Sequence, residues 1–80
     1  MRHLIKVLYT VLRKIIIPHY DMLVDVEITE QPENTLIVRY YYKSYLPQDV
    51  VNDIFHETNA LFNMLETENY RILINFRFTE

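Results

Sequence analysis

Apolar residues recur every three or four positions along residues 2–17, RHLIKVLYTVLRKIII, and that spacing predicts an amphipathic helix. At 100° per residue, Val7, Val11, Leu4, Ile15, Leu8, Leu12, Ile5, Ile16 and Tyr9 follow one another around an arc of about 200°. Arg2, His3, Lys6, Thr10, Arg13 and Lys14 share most of the remainder. A helix packed once on a core needs a stripe of only about 100° or slightly more. The first helix therefore carries a second apolar flank, for a further layer of the same chain, a second copy or a foreign surface. Ile17-Pro18 ends it, because the residue before proline is pushed out of the α region.

Beyond Pro18 the period changes to two. Over 21–29, Met22, Val24, Val26 and Ile28 alternate with Leu23, Asp25, Glu27 and Thr29, which predicts a strand with one wet face. The polar stretch Glu30–Asn34, with Pro32, suits a hairpin loop. A second strand over 35–44 places Leu36, Val38, Tyr40 and Tyr42 inward, and Ile37, Arg39, Tyr41 and Lys43 outward.

A helix is predicted over 47–66, with Pro47 at its first position and Asp49 in the first turn. Val50, Val51, Ile54, Phe55, Thr58, Leu61, Phe62 and Leu65 form its apolar stripe. Asn69 is the expected left-handed residue at its end. A third strand over 70–79 alternates Tyr70, Ile72, Ile74, Phe76 and Phe78 with Arg71, Leu73, Asn75 and Arg77.

The order helix, strand, strand, helix, strand predicts one α+β domain over residues 1–80, a two-layer arrangement with a three-stranded sheet covered on one face by two helices. The hairpin makes the first two strands antiparallel, and a helical crossover makes the third parallel to the second. The third strand is expected beside the first, in the order 2-1-3 and antiparallel throughout. The alternative is a mixed sheet with the third strand beside the second.

Composition removes several kinds of chemistry. The chain has no glycine, so it holds neither a Walker loop, nor a dinucleotide fingerprint, nor a nucleophile elbow. With no cysteine there is no disulfide framework, thiolate nucleophile or Cys-ligated zinc. That is compatible with a reducing setting, and the cytoplasm is the expected compartment. His3, His19 and His56 are dispersed without ligand spacing, and Ser44, the only serine, has no evident base nearby. No catalytic, metal or cofactor site is therefore expected.

Charge is divided. Residues 1–19 carry four bases and no acid; the rest carry four bases against all 11 acids. Asp49, Asp53 and Glu57 recur at i, i+4 and i+8 as an acidic ridge on the second helix, facing either a basic partner or Arg2, Lys6 and Arg13 of the first helix or of another chain. The reading that follows is a non-enzymatic protein-interaction or regulatory module. It is expected to form a homodimer through Leu4, Leu8, Leu12 and Ile16, with Asp49, Asp53 and Glu57 as a second contact surface. The competing class is nucleic-acid binding through Arg39, Tyr41, Lys43, Arg71 and Arg77 on the outer sheet face, or through the basic helix. A membrane surface is the least favoured partner.

Overall fold

The computed structural model describes residues 2–65 and 67–80, with Arg2 described by its backbone alone. Helix α1 (Arg2–Ile15) leads through a 3-10 turn (Ile17–His19) into strand β1 (Leu23–Gln31). Strand β2 (Thr35–Tyr42), helix α2 (Gln48–Asn63) and strand β3 (Arg71–Phe78) follow. The expected α+β order and its two helices are present, with each element shifted by up to three residues at its ends. The expected end of the second helix at Glu66 lies outside the described residues.

The sheet order is β1-β2-β3, with β2 antiparallel to β1 and parallel to β3. This corrects the expected 2-1-3 order. β2 and β3 stay in one register from Thr35–Arg71 to Tyr42–Phe78. That register stacks Tyr40 on Phe76 and sets Tyr42 edge-on to Phe78, each pair with ring centroids 5.7 Å apart. Such aromatic pairs contribute about 0.5–1.5 kcal/mol each beyond their burial. β1 offers no comparable aromatic row, and its pairing with β2 is interrupted.

The interruption is a β-bulge. The register shifts between Leu23 and Asp25, so β1 carries one extra residue there. Below it, Val26 is buried and Ile28 half-buried, as the alternation predicts. Above it the faces exchange: Leu23 enters the core and Val24 turns out, 39% exposed. A strict period of two assigns both residues to the wrong side.

Leu8 and Leu12 of α1 and Ile16 just beyond it meet Leu23, Val26, Leu36, Val38 and Tyr40 of the sheet and Ile54 and Phe62 of α2 in one buried cluster. Each such aliphatic side chain contributes roughly 1.5–3 kcal/mol on burial. A polar pair within this cluster is satisfied: the Tyr40 and Thr58 hydroxyls are hydrogen-bonded at 2.7 Å. Burial pushes the Tyr40 phenol well above its ordinary titration range.

Turns are built without glycine. Asn34 and Ser44 take positive φ, at 52° and 59°, and Asn tolerates that region better than most residues. Asn69 is not among the positive-φ residues. α2 is instead closed by Thr67, whose hydroxyl donates to the Phe62 carbonyl at 2.7 Å. Pro47 is extended and precedes the helix as its N-cap, its carbonyl accepting the Val51 N–H.

Candidate functional site

The centre of α1's apolar arc faces inward. Leu8, Leu12 and Ile16 have no exposed surface and Leu4 is half-buried. Three of the four expected contact residues are therefore built into the chain's own core, which corrects their assignment to a partner. The surplus apolar surface belongs to their neighbours. Val7, Val11 and Ile15 recur at i, i+4 and i+8 on one flank, and Ile15 is 43% exposed.

Tyr9 marks the opposite flank, and it reaches β1. The Arg13 guanidinium lies 2.6 Å from Asp25 Oδ1 and 5.7 Å from the Tyr9 ring centroid. The Tyr9 hydroxyl, with the Asp25 carboxylate, holds Arg13 above its ordinary pKa. Arg13 therefore does not face the acidic ridge. Lys6 and Lys14 are exposed and form no ion pair among the described residues, and the Arg2 side chain lies outside them.

Asp49 and Asp53 are exposed on α2, and Glu57 is half-buried. Glu57 accepts a hydrogen bond from the Tyr20 hydroxyl, and His19 Nδ1 lies 3.8 Å from its other oxygen. Partial burial, the bond to Glu57, and the charges of Glu57 and Asp53 push the Tyr20 phenol up to about 12. The end of the ridge is thus fastened to the turn after α1.

Between the helices lies an open groove of about 190 Å³, lined by Ile15, Ile16, Glu57, Ala60, Leu61 and Met64. Met64 is 81% exposed at its rim. A signal for it was present in the sequence: Asp53, Glu57, Ala60, Leu61 and Met64 share a helical arc of about 100°, so the ridge is interleaved with apolar residues. The facing wall could not be found from α2 alone, because it belongs to α1.

Compared with known proteins, the chain matches no family model, and no curated protein or solved structure is significantly similar to it.

The outer sheet face divides. Arg39 lies 3.3 Å from Glu27, and the Tyr41 hydroxyl donates to the same carboxylate at 3.0 Å. The single outward aromatic of the nucleic-acid reading is thus tied to an acid. Lys43, Arg71 and Arg77 are exposed and form no ion pair among the described residues. No group of three or more His, Asp or Glu side chains among the described residues could hold a metal ion. No described helix is long and apolar enough to cross a membrane.

Proposed function

We propose that this protein is a small non-enzymatic interaction module that self-associates through its helix layer. The observation that carries the reading is the groove between α1 and α2, apolar on both walls and open to solvent. Lys14 adjoins the Val7, Val11 and Ile15 flank on the α1 side, whereas Lys6 lies on the far side beside Arg13; Asp49 and Asp53 are exposed on the α2 side.

A two-fold interface must be self-complementary, each patch meeting the other's counterpart. Setting α1 of one copy over α2 of a second brings Lys14 to the aspartates twice. The flank of Val7, Val11 and Ile15 then meets Ala60, Leu61 and Met64. Apolar surface at the centre with charge at the rim is the usual anatomy of a specific interface. The same pairing accounts for the division of charge between residues 1–19 and the rest.

Light scattering over a dilution series tests this. The expected result is a dimer that dissociates more readily as salt rises, since rim charges are screened. Ile15→Glu with Met64→Glu should raise the dissociation constant by about tenfold or more with unchanged circular dichroism. A monomer at every concentration, or a dimer indifferent to both substitutions, would sink the proposal. Leu8→Ser and Leu12→Ser do not discriminate, because they empty the core itself.

A further inference from the structure

The two edges of the sheet are finished differently. At β1 the bulge breaks the pairing pattern, and the Val26 N–H donates to Asp25 Oδ1 at 2.7 Å. That carboxylate also holds Arg13. A bulge, a capped amide and a fixed ion pair are devices that keep an edge from pairing with another chain.

β3 has neither a bulge nor a cap. The Arg71 N–H donates to the Asn34 carbonyl and the Thr79 N–H to the Tyr42 carbonyl, at 2.8 Å each. In a parallel pair, alternate residues direct their backbone groups to the neighbouring strand. Arg71, Leu73, Asn75 and Arg77 therefore face β2 with their backbones. Ile72, Ile74, Phe76 and Phe78 direct theirs outward. Among the described residues, no loop backbone bonds to these four.

We propose that β3 is an acceptor edge for an extended segment of another protein, apolar at alternate positions and acidic at those between. The backbone groups of Ile72, Ile74 and Phe76 supply the main-chain ladder, the mode of recognition by strand addition. On the helix-covered face, the half-buried side chains of these residues continue the core toward the newcomer's apolar positions. On the open face, Arg71 and Arg77 flank exposed Leu73 and Asn75, and no acid stands in that row. A carboxylate on the incoming strand meets each arginine. A second copy joined β3 to β3 would line up four arginines with no carboxylate, and β1, the other edge of the sheet, is closed by its bulge and by Asp25, so the occupant is not this chain. The proposal is independent of the helix-layer dimer, because the two surfaces share no residue.

The probe is a synthetic nonapeptide, VDVEVDVEV, which alternates apolar and acidic positions and matches no nine-residue segment of this chain. Its expected signature, in backbone amide spectra of the intact protein, is shifts and slowed exchange at Ile72, Ile74 and Phe76. A version with lysine at every acidic position should bind about tenfold more weakly, since it sets like charges opposite Arg71 and Arg77. The same loss is expected for the Arg71→Glu, Arg77→Glu double variant, whose free spectrum elsewhere should not change. Absence of shifts at millimolar peptide would overturn the proposal. So would shifts centred on the helices, or equal binding of the lysine version. Shifts at β3 produced by single-stranded oligouridylate and not by the peptide would transfer the surface to nucleic acid.

Discussion

Tyr40 and Thr58 show how one buried polar pair can be neutral in cost and still restrictive. Each hydroxyl is the other's partner at 2.7 Å, with both residues fully buried. Thr58→Val should destabilise the protein by about 1–3 kcal/mol, because it leaves the Tyr40 hydroxyl buried and unpaired. Tyr40→Phe should cost less, since a helical threonine can bond the carbonyl one turn back. The double variant should recover most of the loss seen with Thr58→Val. Urea midpoints across this cycle measure the coupling, and additive costs would mean the bond contributes nothing. Tyr20 offers a second test at this scale. Its phenol is pushed from 10 up to about 12, so above pH 10 the unfolded chain releases a proton that the folded chain keeps. The resulting stability is complete below pH 10 and is lost as pH rises to about 12. The gap in urea midpoint between the protein and its Tyr20→Phe variant should close across that window.

Among the elements, the periodicities were legible wherever one face of an element meets the core. α1, β2 and α2 follow their patterns, since Leu8 and Leu12, Leu36 and Val38, and Ile54 and Phe62 keep the expected faces. The bulge in β1 was not legible, because an extra residue leaves the same alternation on either side and merely changes its phase. Strand order was not legible either. It depends on the aromatic row between β2 and β3 and on the closure of β1's edge, both of them relations between elements distant in sequence. The groove was half visible, as acids interleaved with Ala60 and Met64. Asp25 is the residue on which edge closure converges. Asp25→Ala should lower stability only modestly, by about 1 kcal/mol, because the ion pair is exposed. It should raise the rate of fibril formation followed by dye fluorescence, because Val26 N–H and the strand edge are freed together. Unchanged aggregation would show that the bulge alone guards that side.

Across the whole molecule, the helix layer and the sheet edges divide the surface into regions with different roles. The helices leave a groove because the chain's apolar arc on α1 is wider than one sheet can cover. The outer sheet face carries Glu27, Arg39 and Tyr41 in mutual contact and leaves Arg71 and Arg77 free of ion pairs among the described residues. Dimerisation through the helices would leave both copies of β3 accessible. Two extended segments could then be gathered by one particle, and a divalent target would gain avidity limited by the distance between the edges.

The central position of β2 has a further consequence, in the order of assembly. Its pairing with β1 closes across the short turn Pro32–Asn34, whereas its pairing with β3 must wait until the whole of α2 has been traversed. Loop-closure entropy rises with the separation of the ends, and parallel neighbours are slow to find one another. The hairpin is therefore the natural nucleus, with β3 a late arrival held by two aromatic pairs and a ladder. Until it docks, Leu36, Val38 and Tyr40 lie beside an open strand edge, which any nascent or heat-loosened copy exposes. The interval between hairpin formation and β3 docking is the window in which a chaperone, or a like chain, would compete for β2.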